Sequence, residues 1–501
     1  MVAKSTVELN IESAALGFDE LVQFLRQAVR EPSPAHVVEK KLFQSVLEMG
    51  RRLFGAFLSA LGNGDLGSEV ALQQTDYQGT RLVKRFADEH RRRLRTVFGE
   101  FSFSRCVYGD GERTAIVFAP LDQRLQLPES EVSYLLQEWD QLLAIDQSFG
   151  AVRDIIESIL QIRQSVDTLE RGSQRMAESA EAFRAQQPPP DPKTEGELLV
   201  ATEDNKGIPI VRPADVSPPG AHLTRGQKKN KKRLACVGCV YSVNRHVRTP
   251  EEILATLFRD PDRPKVKPPI SRHRRYWVRL TRSVTHADGE IEELNGQRDV
   301  FEQLRKDILE RRKRGQTLIN LSDGQRSLET DREDYLPTDA DTVDILDLLH
   351  VLPRLWQAAY LFHDEGSDEA TAFVRCYALQ VLEGKAKRVI ADLRRQGTRK
   401  KLKGAKKNTL RLLTNFLETN LHRMRYDEYL ASGYPIATGV IEGACRHIVK
   451  DRMERTGMRW KIPGAQAILE LRAIHTNGDW ESFHHFRIEH ETKRLYPYTA
   501  V

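Results

Sequence analysis

Cysteine is scarce in this chain, five residues in 501. That is too few, and too scattered, for the disulfide framework of a small secreted protein, so the cysteines read as reduced thiols. Long apolar runs are also missing. No stretch approaches the ~20 apolar residues that a membrane-spanning helix needs, which excludes an integral membrane protein. The opening residues, MVAKSTVELNIESAALGFDE, lack the basic-then-apolar order of a secretory signal, so a cytoplasmic chain is expected. There is no phosphate-binding P-loop and no G-x-G-x-x-G after a strand, which leaves nucleotide-driven chemistry unsupported. No internal repeat is present. What remains, 40% hydrophobic and 30% charged residues, suits a globular protein with sizeable cores. The length sets a soft expectation of about three domains.

Net charge is small: 77 basic against 71 acidic residues, or +6. Its distribution is uneven. Residues 385–407 hold eleven Lys/Arg and one acid, Asp392. Arg225, Lys228, Lys229, Lys231, Lys232 and Arg233 crowd into nine positions, and a third run lies within 263–282. One such run is ordinarily a solvated face. Three in a nearly neutral chain point to a polyanion, and nucleic acid is the natural one.

Residues 186–196, QQPPPDPKTEG, are Pro-rich and polar and read as a linker. Before it, residues 1–150 are mostly helical by their three-to-four spacing of apolar residues. Residues 101–119 alternate and contain Gly109-Asp110-Gly111, which predicts a hairpin. In 151–185 a seam of Ile155, Ile159, Ile162, Val166, Leu169, Ser173, Met176, Ala180 and Phe183 steps by four and three. It predicts one long helix, serving either as a dimerising coiled coil or as a helix packed on its own domain. After the linker, 197–202, 233–243, 317–322 and the start of 342–349 read as strands. Residues 299–314 read as a helix, and 435–458 as a helix stopped by Gly457. Strands alternating with helices over 197–349 predict an α/β core. Residues 350–433 then form an all-helical insertion, and 434–501 a closing helix and tail.

Three acids stand at informative places: Asp204 and Asp323 beside strand ends, and Glu442 within the late helix. Strand ends of an α/β sheet face a common crevice. Three carboxylates there suit hard divalent cations, which take oxygen ligands and leave positions open for phosphate oxygens. Spacing alone favours helix caps and turn acids, because 71 acidic residues offer many such triples. Arg446 and Lys450 follow Glu442 by four and eight residues and share its helix face. Arg452, Arg455 and Arg459 extend the basic surface toward Trp460, which closes the core or stacks on a base. Asp347 and His350 form either a pair supporting a metal site or DNA strand, or a structural polar pair. Cys236-x-x-Cys239 has no companion ligand pair and reads as buried strand thiols. His484-His485 reads as a surface pair.

Four segments carry a resemblance: GELLVATEDNKGIPIVRP (196–213), LINLSDGQRSL (318–328), DILDLLHVLPRLWQAAYLFH (344–363) and YPIATGVIEGACRHIVKDRMERTGMRWKIPGAQAILELRA (434–473). Together they resemble the ISKra-type bacterial insertion-sequence transposases, relatives of the Mutator-like DDE transposases. The likeness spans roughly residues 95–485. It implies an RNase H-like α/β catalytic core with an all-helical insertion, preceded by a mostly α region holding a β-hairpin and a long helix. It assigns Asp204, Asp323 and Glu442 as catalytic, metal-holding acids for Mg²⁺ (or Mn²⁺), two ions in all. It leaves Asp347 and His350 as supporting residues. Asn205 stands where the family commonly has Gly, and Glu329 near where it has an aromatic.

The activity implied is hydrolysis at transposon ends and strand transfer into target DNA. The partners would be terminal inverted repeats, target DNA and a second copy when ends are synapsed, in a cytoplasmic, nucleoid-associated setting without membrane. Arg225, Lys228, Lys229, Lys231, Lys232, Arg233, Lys400, Lys401, Arg446, Lys450, Arg452 and Arg459 are the expected DNA contacts. Two rivals remain: a non-catalytic repressor that occupies the ends, and a structure-selective RNase H-like nuclease. Residues 18–60 have room for a helix-turn-helix, yet no recognition helix stands out.

Overall fold

The structure, a computed structural model, describes residues 6–74, 79–110, 115–211, 232–263, 265–285, 290–455 and 457–500. The chain forms two compact units, Met1–Arg184 with Trp480–Val501, and Ala185–Asp479. The division falls just before the Pro-rich segment. The last residues, expected to finish the core, belong instead to the first unit.

The first unit opens with a helical hairpin, α1 (Thr6–Arg30) and α2 (Ala35–Ala60). Strands β1 (Glu69–Gln74) and β2 (Thr80–Arg85) pair antiparallel, as do β3 (His90–Thr96) and β4 (Gly99–Arg105), and a short β5 (Tyr108–Gly109) adds to β2. The hairpin expected at 101–119 holds in part: Tyr108 and Phe118 form an antiparallel bridge across it, while residues 101–105 pair back with β3 instead. The β3–β4 turn is Val97-Phe98, followed by Gly99 at φ +123, and the segment 111–114 lies outside the described residues. The arginine-rich β3 hid the strand: only Leu94 and Thr96 on it are buried.

Helices α3 (Pro120–Arg124), α4 (Tyr134–Ala144), α5 (Phe149–Leu160), α6 (Val166–Ala177) and α7 (Ala180–Gln186) follow. The long helix predicted for 151–185 is thus three helices. Gln161 turns left-handed at φ 59, and Ser165 caps a new start by accepting the Thr168 N–H. Ile162, Leu169, Met176, Ala180 and Phe183 are buried within the unit, which is the packed alternative rather than a coiled coil.

The second unit is built on a five-stranded sheet. Its strands are β6 (Leu198–Pro209), β7 (Lys232–Val243), β8 (Arg272–Leu280), β11 (Thr317–Ser322) and β12 (Thr342–Leu346), in the order β12-β11-β6-β7-β8. β6, β7 and β8 form an antiparallel meander, while β11 and β12 run parallel to β6. Between them come α8 (Pro250–Leu257), a ribbon of β9 (Arg282–Thr285) and β10 (Ile291–Leu294), and two helices, α9 (Gly296–Arg311) and α10 (Arg326–Tyr335). α9 packs on β7 and β8, close enough that a Cβ on Gly238 would lie 2.5 Å from Val300.

Leu199 and Ala201 of β6 share a buried cluster with Val300, Phe301, Leu304 and Ile308 of α9. Strand alternation then sends Glu203 to that face and Asp204 to the other.

The helical insertion comprises α11 (Leu348–Ala359), α12 (Asp368–Leu382), α13 (Ala386–Arg399), α14 (Gly404–Thr419) and α15 (Tyr426–Ala431). Then come α16 (Gly439–Ala444), a π-helical turn over Cys445–Lys450, α17 (Asp451–Met453) and the largely buried α18 (Ile462–Asn477), which lies along β8. The helix expected over 435–458 is shorter. Ile436 lies outside the helix and its carbonyl accepts the Leu348 N–H at 2.9 Å, and the helix ends at Met453, before Gly457 at φ +76. The chain closes with α19 (Trp480–Leu495) and β13 (Tyr498–Ala500), which pairs with β1 in the first unit. Among the described residues, no helix is long and apolar enough to cross a membrane.

Candidate active site

The parallel strands set three aspartates at one level. Thr202 of β6 pairs with Leu321 of β11, so two residues further Asp204 is level with Asp323. Ser322 pairs with Leu346 of β12, so Asp323 is level with Asp347. The ladder holds this far, since the Asp347 N–H donates to the Ser322 carbonyl at 2.8 Å. Asp204 sits inside β6, not after it as its sequence context suggests.

Each carboxylate is fixed in its own way. Asp204, on the face of β6 away from α9, accepts Lys206 Nζ at 2.7 Å and the Asn205 N–H at 2.6 Å. Asp323 accepts the Gln325 N–H at 2.7 Å across a turn in which Gly324 takes φ +77. Asp347 caps α11 through the Leu349 N–H at 2.7 Å, and its other oxygen accepts the Thr438 hydroxyl and N–H. Burial raises the pKa of Asp323 above the usual carboxylate range; the nearby Asp204 adds to this, while the Gln325 N–H, His350 and Lys206 oppose it. Burial likewise raises Asp347 against its Thr438 and Leu349 hydrogen bonds. For Lys206 burial acts downward, but the hydrogen bond and charge of Asp204 prevail and its pKa is raised.

Glu442 reaches this edge from α16, which packs over β6 and β7. Its Oε1 lies 3.9 Å from Nε2 of His350. Asp347, His350 and Glu442 each offer a ligand atom within 4.8 Å of the others, and among the described residues this is the one such group. The expected set of Asp204, Asp323 and Glu442 is not drawn that tightly together. Glu442 is grouped with the Asp347/His350 pair, while Asp204 and Asp323 lie alongside. Cys445, one turn after Glu442, is buried against Asp204; burial and that carboxylate both raise its thiol pKa.

Beneath Asp204 lies a group that sequence reasoning missed. Glu203 is 1% exposed, and neither carboxylate oxygen has a hydrogen-bond partner. Burial pushes its pKa up to about 8, against the pull of Arg332 and Arg423. Those two buried guanidiniums both donate to Ser322 Oγ and lie beside Glu329, with Arg423 3.0 Å from its Oε1. The signal was present in sequence as two adjacent acids at the end of an apolar strand.

The expected DNA contacts fare unevenly. All eleven basic residues of 385–407 are exposed, along α13, its turn (Lys400 and Lys401 among them) and the start of α14. Arg446, Lys450 and Arg459 are exposed, with Arg446 3.9 Å from Asp451. Arg233 is exposed, and Lys232 is paired with Glu454 at 2.5 Å. Arg225, Lys228, Lys229 and Lys231 lie outside the described residues. Arg452 is corrected: it is fully buried, stacked 4.6 Å over the Trp460 ring, so it builds the core. Trp460 is buried too, its Nε1 donating to the Met453 carbonyl.

The basic run within 263–282 is largely strand β8. There Arg279 is buried between Asp299 and Glu470, and Arg275 is paired with Asp307. Cys236 and Cys239 are buried on β7, and three residues along a strand they point to opposite faces, which suits inert thiols. His484 is not a surface residue: it is buried 3.5 Å from Glu138, and desolvation lowers its pKa to about 4.

No protein-family model matches this chain, and no curated protein matches it.

Proposed function

We propose that the chain is a divalent-metal-dependent DNA transposase with an RNase H-like catalytic core. The observation that carries this reading is the row of Asp204, Asp323 and Asp347 at one level of three adjacent parallel strands, with Glu442 brought over the same edge. An antiparallel meander followed by two parallel strands supports the RNase H-like core. The helices lying between Asp323 and Glu442 support kinship with Mutator-like enzymes.

The donor set fits the metal. Carboxylate oxygens suit Mg²⁺ and Mn²⁺, and the His350 nitrogen favours Mn²⁺ of the two. Asp204, Asp323 and Glu442 would hold the ions, with Asp347 and His350 beside them. When bound, such ions stabilise charge on a phosphoryl group and make water nucleophilic at neutral pH.

The protein's own residues do the positioning. The Thr438 hydroxyl and the α11 N-terminus hold Asp347; the Gln325 N–H holds Asp323; Lys206 and the Asn205 N–H hold Asp204. Arg446, Lys450 and Arg459 would neutralise phosphates beside the site, and the α13–α14 cations would do so further along the DNA. Hydrolysis forms a bond from water oxygen to phosphorus and breaks the bond to the 3′ oxygen. The freed 3′-hydroxyl then attacks a target phosphodiester, forming a new oxygen–phosphorus bond as the bond to the target's own 3′ oxygen breaks and leaves a target 3′-hydroxyl, with no covalent protein–DNA link. Joining two ends requires at least two copies.

The second reading is a non-catalytic repressor that binds the same ends. It is favoured by Lys206, which places the chain's own cation 2.7 Å from Asp204, where a metal is wanted. DNA from the protein's own locus, with both flanks, separates the two. Nicks at two defined ends in Mg²⁺ or Mn²⁺, absent in EDTA, support the transposase. Protection of the ends without nicks supports the repressor.

A further inference from the structure

We infer that the exposed face of the α1–α2 hairpin is a self-association surface, on which a second copy of this chain docks its own hairpin to form a four-helix bundle. On α2, Phe43, Val46, Leu53 and Phe57 are 46–50% exposed. They step by three, seven and four along one helix face; at the skipped step the ring of Phe98, itself 36% exposed, lies over Gly50 and continues the apolar stripe. On α1, Ile11, Phe18 and Val29 are 49%, 56% and 82% exposed. They are two and three turns apart, with half-buried Val22 and Leu25 between them. These residues do not hold the hairpin together: that seam uses Ala14 and Leu21, and Arg52 donating to Ser13 at 2.8 Å. Nor do they anchor it to the rest of the unit, which is the work of Phe54 against Phe98 and Phe101. A continuous apolar stripe on both helices is more than scattered surface residues and marks an interface.

Charge selects a second copy as the occupant. α1 carries four carboxylates (Glu8, Glu12, Asp19, Glu20) against Arg26 and Arg30, a net −2. α2 carries Lys40, Lys41, Arg51 and Arg52 against Glu39 and Glu48, a net +2. Each hairpin holds both halves of a complementary pair, so α1 of one copy against α2 of the other is favoured. An anionic lipid surface would meet the acids of α1 instead. Helices of 25 and 26 residues run roughly 37 Å, long enough to supply the ~800 Å² per partner of an ordinary stable interface.

The interface does not rest on the DNA reading, and its test uses no DNA. Sedimentation of the full chain at micromolar concentration should give twice the monomer mass. Phe43→Glu with Phe57→Glu should return it to the monomer mass with an unchanged far-ultraviolet spectrum; Ile11→Lys serves as a second variant should the first misfold. The charge argument adds that Lys40→Glu with Lys41→Glu should weaken the dimer at least tenfold in low salt. A monomeric wild type would overturn the inference, as would a dimer indifferent to these substitutions. So would a monomer that floats with phosphatidylserine vesicles, which would assign the stripe to lipid.

Discussion

Nε2 of His350 lies 3.9 Å from Oε1 of Glu442, although α12–α15 intervene between them in sequence. The contact ties the Asp347-x-x-His350 start of the insertion to the helix that follows its end. It depends on Ile436, whose carbonyl bonds to Leu348, and on Thr438, which bonds to Asp347. The two anchors let one edge of the sheet receive a glutamate from far along the chain.

Asp347 has two separable roles in this account. As the cap of α11 it accepts a backbone N–H, which asparagine can also do. Asp347→Ala is therefore expected to lose about 1 kcal/mol of stability, and Asp347→Asn to lose less, since its amide oxygen keeps the cap while its NH2 cannot accept the Thr438 N–H. Both should lose cleavage by about 10–100-fold, the usual cost of a removed supporting group at a metal site. Wild-type cleavage by Asp347→Asn would reduce the residue to a cap.

Glu203 makes stability depend on pH. Its folded pKa, about 8, lies above its ordinary value of 4.5. The folded chain thus keeps a proton that the unfolded chain releases between those values. Stability falls as pH rises through that window, and the loss is complete only above pH 8. Glu203→Gln removes this slope. Thermal midpoints from pH 5 to 9 should show the variant gaining on wild type as pH rises; parallel curves would mean that Glu203 does not titrate there.

Lys400 and Lys401 are exposed at the turn between α13 and α14. If both meet phosphates, replacing them with alanine should make the slope of log affinity against log salt shallower by about 2. An unchanged slope would remove this turn from the DNA path.

Much of the second unit was legible because its buried strands are plain apolar runs. β7 and β11 follow the expected bounds within a residue, and α9 follows its amphipathic period. The first unit was less so. β3 is polar at six of seven positions, and the break after Leu160 rests on a left-handed Gln161 that no residue type announced. The helix expected over 435–458 starts late because Ile436 and Thr438 are bonded to the start of α11, and the π-turn over Cys445–Lys450 inside it has no signature in the spacing. Arg452 and Arg279 were read as surface cations because their partners, Trp460 and the Asp299/Glu470 pair, are tertiary. Of the site, the separate acids were legible. The register that aligns Asp204, Asp323 and Asp347 was not, since it belongs to pairing between strands.

The central claim is that Glu442 completes a metal-holding catalytic edge. The most direct measurement compares Glu442→Gln with wild type for strand cleavage and end binding on the same DNA in Mg²⁺ and in Mn²⁺. Glu442 is half-exposed, so the substitution should leave folding and end binding intact. Cleavage should fall by about 100-fold or more in both metals. Cleavage at the wild-type rate by a folded, DNA-bound Glu442→Gln protein would contradict the account.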